Sequence, residues 1–201
     1  MLKNIGFALT GSFCTHEQIL TEIENLVCKG YNVIPIISET VACTSTRFGS
    51  AENLQKKLKK LTNNDIIDTK VKAEVVGPNN LIDILIVAPC TGNTLAKIAN
   101  GVTDTCVAMV VKSHVRNNKP VVIAISTNDA LGNNMENLAK LIASKNFYFV
   151  PFGQDNPEKK PKSMIADFSL IEQTMIMAEQ KEQIQPLLIR RWIWTGFVQL
   201  W

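Results

Sequence analysis

One stretch of this sequence constrains the fold more than any other. It consists of an apolar run, a proline and four small polar residues. Residues 81–87 read Leu-Ile-Asp-Ile-Leu-Ile-Val, which predicts a strand buried on both faces. In the segment Ala88–Asp104, Pro89 stops this strand and Thr91-Gly-Asn-Thr94 opens a helix. Open α/β sheets bind ligands at the carboxyl ends of their strands, and free N–H groups at a helix start attract anions. The segment therefore predicts a cofactor or substrate site.

Strand-like apolar runs alternate with helical patterns along the whole chain. Such alternation indicates an α/β fold with a single doubly wound, Rossmann-like parallel sheet flanked by helices. The first predicted helix begins at a Thr15/Gln18 capping box and ends at Gly30. The other predicted helices cover 51–61, 92–100, 105–113, 134–144 and 163–184, and a loop covers 151–161. The predicted strands are 3–9, 31–37, 71–76 (a weaker one), 81–87, 120–126 and 147–150.

The chain divides into a predicted α/β domain at 1–184 and a tryptophan-rich tail at 185–201, which holds Trp192, Trp194 and Trp201. The tail is too short to cross a bilayer. Three interpretations stay open for it: an interfacial membrane anchor, a docking segment for a neighbouring subunit, or a non-native extension.

Charge and cysteine usage exclude several classes of protein. A formal net charge of +3 is too small to favour nucleic acid, and the lysines of 56–60 fit a solvated helix face. We expect Lys97 at the surface or in a contact between subunits, and Asp104 as the cap of the next helix. The five cysteines are scattered without a CxxC pair, which favours reduced thiols in a cytoplasmic protein and no metal site. No secretory leader pattern and no membrane-spanning run is present.

Four polar loops follow four of the predicted strands, and right-handed crossovers bring these loops to one edge of the sheet. The dinucleotide fingerprint G-x-G-x-x-G is absent, so one phosphate and a flat heterocycle are expected, as in FMN, with phosphate the alternative occupant if flavin is absent. We expect the anion beside Gly11 and Ser12, at the start of the first helix. The predicted cofactor-binding residues are Gly11, Ser12, Phe13, Ser38, Thr40, Pro89, Thr91, Gly92, Asn93, Thr94, Ser126 and Asn128.

No catalytic residue is assigned from the sequence, and no side chain is expected to act as an essential general base in decarboxylation. His16 is expected to cap the first helix or face solvent, and His114 to complement the dipole at a helix end. Cys14 is expected to be a small buried thiol, although a helix start beside it could activate it. Cys90 is expected to be a small loop residue.

The segment 88–104, together with Thr10-Gly-Ser-Phe13, Ser38 and Ser126-Thr-Asn128, resembles the flavoprotein family of homo-oligomeric flavin-containing cysteine decarboxylases and flavin prenyltransferases. The resemblance covers about residues 3–180. It implies a flavin site, and it implies self-association as a trimer or a larger assembly with sites between subunits.

Two departures from the family pattern separate this chain from the known chemistries of the family. Residues 73–78 lack the histidine that the decarboxylases carry there, and residues 126–129 lack the arginine–glutamate pair of the prenyltransferases. A closer resemblance at 6–15, 128–138 and 147–157 implies one component of a biosynthetic oxidoreductase that has two kinds of subunit, the other being an NAD(P)-type partner. The alternatives are an autonomous flavin-dependent decarboxylase or prenyltransferase, and a non-catalytic partner with a residual phosphate or dicarboxylate site.

Overall fold

The computed structural model describes residues 3–190, and its strands form one sheet flanked by helices. The strands are β1 (Asn4–Leu9), β2 (Asn32–Ile37), β3 (Ile84–Cys90), β4 (Val121–Thr127), β5 (Phe147–Phe149), β6 (Phe152–Asn156) and β7 (Lys160–Ala166). The helices are α1 (His16–Cys28), α2 (Glu39–Cys43), α3 (Ala51–Thr62), α4 (Lys70–Glu74), α5 (Gly92–Ala99), α6 (Cys106–Arg116), α7 (Met135–Ile142) and α8 (Ile171–Glu179). The predicted fold class is confirmed.

The strand order is β2-β1-β3-β4-β7-β6, and β5 also pairs with β4. Strands β1 to β5 are parallel, and β1 and β3 lie side by side in the register Ile5↔Ile84 to Ala8↔Val87. The chain first adds β2 on one side of β1 and then β3 on the other, so its winding reverses between β1 and β3. Ligands of open α/β sheets bind at such a reversal.

Burial explains why the central strands contain apolar runs rather than alternating patterns. All seven residues of β3 are buried, as are residues 121–125 of β4, because helices cover both faces of the sheet. The lysine cluster at 56–60 is exposed around the fully buried Leu58, as a solvated helix face requires.

The predicted strand at 71–76 is wrong, because residues 70–74 form α4. The Thr69 side chain accepts a hydrogen bond from the Lys72 N–H and so caps this helix. Val71 and Val75 are 77% and 49% exposed, so their apolar side chains do not mark a buried strand. Apolar residues alternate in this segment, but they do not form a strand, because the Thr69 cap favours a helix and the two valines are exposed to solvent.

The predicted loop at 151–161 and the predicted helix at 163–184 are also wrong. These residues form an antiparallel hairpin of β6 and β7, a short 3-10 turn at 168–170, and α8. Pairing of β7 with the end of β4, at Ser126↔Ile165 and Thr127↔Met164, overrides the local helical pattern. The Asp167 side chain then caps the 3-10 turn through the Ser169 N–H.

Two predicted caps are not formed. Thr15 precedes α1 without capping it by its side chain, because its hydroxyl donates to the Ser12 carbonyl at 2.8 Å. Thr105, and not Asp104, caps α6 by accepting from the Ala108 N–H. The Asp104 carboxylate instead pairs with Lys97 at 2.7 Å, so the surface position expected for Lys97 includes an ion pair.

The start of the predicted tail pairs with β6. The Phe152 N–H donates to the Leu187 carbonyl, and the Ile189 N–H donates to the Phe152 carbonyl, both at 3.0 Å. Trp192, Trp194 and Trp201 lie outside the described residues, and the division of the chain at 184/185 stays a prediction. Within residues 3–190 no helix has the length and apolar character needed to span a membrane.

Candidate functional site

The carboxyl ends of β1, β3 and β4 lie beside one another, so their polar loops meet. The hydroxyl oxygens of Ser12 and Ser126 are 2.8 Å apart, which joins the loop after β1 to the end of β4 across the intervening β3. The predicted convergence of loops is therefore present for the loops after β1, β3 and β4.

Thr10 holds the loops after β1 and β3 together. Its buried hydroxyl donates to the Pro89 carbonyl at 2.6 Å and accepts from the Thr91 N–H at 3.0 Å. Both contacts satisfy backbone groups that the ladder between β1 and β3 leaves free beyond Val87. Thr10 thus sets the position at which α5 begins.

A cleft of about 760 Å³ opens between these loops and the β6–β7 hairpin, and its volume is typical of a small-molecule site. Eight predicted residues line it: Gly11, Ser12, Phe13, Thr91, Gly92, Asn93, Ser126 and Asn128. Eleven other residues complete the lining: Cys14, Thr15, Gln18, Phe48, Thr127, Asp129, Asp155, Lys160, Ser163, Met164 and Ile165.

The other four predicted residues lie behind or beside the lining. Ser38 is buried and accepts from the Val41 N–H as the cap of α2. Thr40 lies near the loop after β1, since its methyl group would be 3.7 Å from a Cβ at Gly11. Pro89 contributes its carbonyl to Thr10, and Thr94 is buried with its hydroxyl 3.2 Å from that of Thr91.

A polar network beneath the start of α5 was missed by the sequence reasoning. The Asp129 carboxylate accepts hydrogen bonds from the Thr127 hydroxyl and from the Asn134 amide, the latter at 2.7 Å. A Cβ at Gly92 would lie 2.6 Å from the side chains of Thr127 and Asn134 and 2.7 Å from that of Asp129. Only glycine fits between α5 and this network. The polar residues Asp129 and Asn134 are visible in the sequence after Asn128, but their spacing alone does not show that they lie next to Gly92.

The β6–β7 hairpin supplies the remaining wall, and this wall was missed because a loop and a helix were expected there. Ser163, Met164 and Ile165 line the cleft from β7. At the far end of the hairpin Lys160 donates to the Asp155 carboxylate at 2.9 Å.

Four residues of the cleft lining have a backbone N–H without a hydrogen-bond partner among residues 3–190: Gly11, Phe13, Gly92 and Asn93. They lie at the start of the β1–α1 turn and of α5, where helix geometry leaves donors unpaired. These N–H groups and the hydroxyls of the cleft lining can donate hydrogen bonds to a phosphate and to the polar edge of a ring. The donor set and the size of the cleft therefore fit a flavin mononucleotide.

The two histidines are buried and outside the cleft lining. His16 neither caps α1 nor faces solvent as expected, since its Nε2 lies 2.9 Å from the Thr10 carbonyl. Burial lowers the pKa of His16. Burial, followed by the nearby Lys119 ammonium, lowers the pKa of His114 to about 4, so this ring is neutral and does not act on the helix dipole as expected.

The cysteines near the site also differ from expectation. Cys14 is exposed in the cleft and is not a small buried thiol; its Sγ lies 4.0 Å from the Ser12 hydroxyl. Cys90 is the last residue of β3 and not a loop residue, and burial raises the pKa of its thiol to about 12. All five cysteines are free, and no cluster of three or more histidine, cysteine, aspartate or glutamate side chains in the described part of the chain could hold a metal ion.

The family model named Flavoprotein matches residues 2–191, so the chain belongs to the flavoprotein family. The resemblance drawn from the motifs is thereby confirmed, and the cofactor class of this family is a flavin. The chain is 48% identical to the B subunit of dipicolinate synthase of Bacillus subtilis over 190 residues, which cover 94% of this chain and 95% of that protein.

Solved structures support the same assignment. The crystal structure of the B subunit of dipicolinate synthase from Bacillus halodurans is 46% identical, with a TM-score of 0.87 over 94% of this chain and 97% of that one. The FMN-dependent cysteine decarboxylase SpaF is 17% identical, with a TM-score of 0.61 over 89% of this chain and 98% of that one. At that identity the likeness extends to the fold alone. Residues 73–78, which lack the histidine expected of a decarboxylase, lie in α4 and the turn after it and do not line the cleft.

Proposed function

We propose that this chain is the B subunit of a dipicolinate synthase, a two-component oxidoreductase that makes dipicolinic acid during sporulation, and that its cofactor is FMN. The observation that carries the proposal is the 48% identity to a protein of that name over nearly the whole of both chains. The polar cleft at the reversal of the sheet supports it independently, because its donors suit a mononucleotide.

Different loops at the carboxyl edge of the sheet would bind different parts of the cofactor. The N–H groups of Gly11 and Phe13, with the Ser12 hydroxyl, would hold the phosphate at the start of α1. Thr91 and Asn93, in the loop after β3 and the first turn of α5, would face the ring. A bound flavin accepts or donates a hydride, and the protein supplies its position.

The side chains of the cleft fit orientation better than proton transfer. Nine of the nineteen lining residues carry a hydroxyl or a carboxamide, and neither histidine is among the nineteen, although the His16 ring packs on that of Phe13 at 5.2 Å. A histidine is the usual general base near neutral pH, but His16 is buried and its Nε2 lies 2.9 Å from the Thr10 carbonyl, which supports a component of an oxidoreductase over an autonomous decarboxylase. Thr91, Asn93, Ser126 and Asn128 would then fix the ring and the substrate.

The proposal includes two partners. One is an NAD(P)-type A subunit, since the bacterial relative is itself one subunit of a synthase. The other is a further copy of this chain, in a trimer or a larger assembly. Met135 and Ile142 of α7, and Val102 in the segment after α5, are each more than two-fifths exposed and supply apolar surface for such contacts.

Activity with and without the A subunit tests this function. We expect the purified chain to be inactive as a decarboxylase, and to support dipicolinate formation when the A subunit is added. A Ser12→Leu variant should lose both flavin and activity, because the apolar side chain removes the hydroxyl contact to Ser126 and fills the proposed phosphate position.

Ser144→Leu is the matched control, since the Ser144 hydroxyl donates only to the Lys140 carbonyl at the end of α7, outside the cleft lining. Full synthase activity in Ser12→Leu, or release of carbon dioxide by the chain alone, would contradict the proposal.

A further inference from the structure

A second cavity, of about 410 Å³, adjoins the cleft on the side of the β6–β7 hairpin. Asn128, Lys160, Pro161 and Lys162 line it, and the first two of these also line the main cleft. The two spaces therefore share part of their lining, and the second one is an open depression lined by two exposed cationic side chains and no acidic one. A ligand that extends from the cleft into this cavity meets positive charge.

The two lysines differ in how much of their charge is already compensated. Lys160 donates to Asp155 at 2.9 Å, so a carboxylate neutralises part of its charge. Lys162 has no carboxylate within 4.0 Å among residues 3–190. Residues two apart in a strand point to the same face about 7 Å apart. Lys162 thus supplies the uncompensated charge of the cavity.

The backbone and the side chain of Lys162 both contact the loop after β4. Its carbonyl accepts from the Leu131 N–H at 3.1 Å. A Cβ at Gly132 would lie 3.2 Å from the Cδ of Lys162, so the aliphatic stem lies over this glycine. Both contacts place Lys162 beside the loop that also carries Asn128.

Asn128 adds a neutral donor to the same cavity. The Ser163 hydroxyl donates to the Oδ1 of Asn128 at 3.4 Å. This contact directs the carbonyl side of the amide at Ser163 and leaves the Nδ2 hydrogens for a ligand. Ammonium and amide donors around one space are the usual partners of a carboxylate.

We infer that Lys162, with Lys160 and Asn128, forms an anion subsite that binds a carboxylate group of the substrate at the hairpin side of the cleft. The inference deepens the proposed function and rests on it for the identity of the substrate, a dicarboxylate. Selectivity would come from charge, since an uncharged analogue of the same shape leaves the two ammonium groups without an anion.

Binding of two probes to the full-length protein tests the subsite: pyridine-2,6-dicarboxylate and its neutral 2,6-dicarboxamide. Calorimetric titration should give at least a tenfold preference for the dicarboxylate, and the preference should shrink as salt is added. Lys162→Met keeps an apolar stem over Gly132 and should weaken dicarboxylate binding about tenfold, which equals about 1.4 kcal/mol, without changing diamide binding. Lys162→Glu should weaken it further.

Lys159→Met is the matched control, because Lys159 is exposed on the same hairpin and lines neither space. Equal dicarboxylate affinity in Lys162→Met, Lys162→Glu and the control would overturn the subsite, as would equal affinity of the parent protein for the two probes.

The proposed function is judged separately, by flavin content and by synthase activity with the A subunit. A parent protein that is active as a synthase, with no effect of Lys162 on dicarboxylate binding or on KM, overturns the subsite alone. A parent protein without synthase activity that still shows Lys162-dependent dicarboxylate binding overturns the function and supports the subsite.

Discussion

Replacing Gly92 by alanine should destabilise the protein and weaken flavin binding, because the new methyl group has no room. It would lie 2.6 Å from the side chains of Thr127 and Asn134 and 2.7 Å from that of Asp129. None of these atoms can retreat freely, since the Asp129 carboxylate holds both the Thr127 hydroxyl and the Asn134 amide. Asn134 is also buried, and its backbone N–H donates to the Asp129 carbonyl.

The expected magnitude follows from three terms. Overpacking a close contact costs about 1 to 3 kcal/mol. Displacing Asn134 from Asp129 gives up a hydrogen bond to a charged group, worth about 1.5 to 3 kcal/mol. Alanine favours a helix by up to about 1 kcal/mol over glycine, which offsets part of the loss. The free energy of unfolding should therefore fall by about 1.5 to 6 kcal/mol, and Tm by roughly 3 to 24 °C for a chain of this size.

Urea unfolding of the parent, Gly92→Ala and Gly11→Ala proteins provides the assay. Gly11 lies in the same cleft, but its φ is outside the left-handed region and an added Cβ would meet only ordinary contacts at 3.6 and 3.7 Å. Gly11→Ala should therefore change stability by less than about 1 kcal/mol. Equal stability of the two variants, with unchanged m-values, would refute the close packing of α5 on the Asp129 network.

Three further outcomes are expected. Thr10→Val should lower the free energy of unfolding by about 2 kcal/mol or more, because the Pro89 carbonyl and the Thr91 N–H lose their buried partner; a urea midpoint equal to that of the parent would contradict this. The pKa of His114 is lowered to about 4, so the folded state binds fewer protons than the unfolded state below about pH 6.5, and stability should fall by about 3 kcal/mol as pH drops from 6.5 to 4. His114→Leu should flatten that part of the pH profile of unfolding, and a profile as steep as the parent's would show that another group, such as His16, causes it. Light scattering at micromolar concentration should give the mass of a homo-oligomer, and the mass of a single chain would remove the proposed self-association.

The strands at the centre of the sheet were predictable because burial on both faces imposes a pattern that depends little on distant residues. The apolar runs at 3–9, 31–37 and 120–126 correspond to parallel strands, and the run at 81–87 overlaps β3, which begins only at Ile84 and continues through Pro89 to Cys90 instead of stopping at the proline. Helix starts at Ser50, Thr91 and Thr105 also depend on local chemistry, since each hydroxyl caps a backbone donor three residues later.

The hairpin of β6 and β7 was not predictable in this way. Residues 160–162 are exposed and give no apolar strand pattern, and the strand that contains them is set by its pairing with Ser126 and Thr127, more than thirty residues earlier. A local helical pattern after residue 163 competes with that pairing. The lysine-bearing wall of the cleft was missed together with this hairpin.

The site itself was predictable in part, and the reason is topological. Loops after parallel strands meet at one edge, so Gly11, Ser12, Thr91, Asn93, Ser126 and Asn128 could be grouped from the strand assignments alone. Contacts that depend on side-chain length could not be derived. The network around Asp129 and the inward position of Thr10 require the actual separation of the loops.

A titration of FMN into the folded, flavin-free protein tests the central claim most directly. The account predicts saturable binding of one FMN per chain, seen as a change in the visible flavin spectrum, and its loss in Ser12→Leu while unfolding stays cooperative. A folded parent protein that binds no FMN, or a Ser12→Leu variant that binds it as tightly as the parent does, would contradict the assignment of a flavin to this cleft.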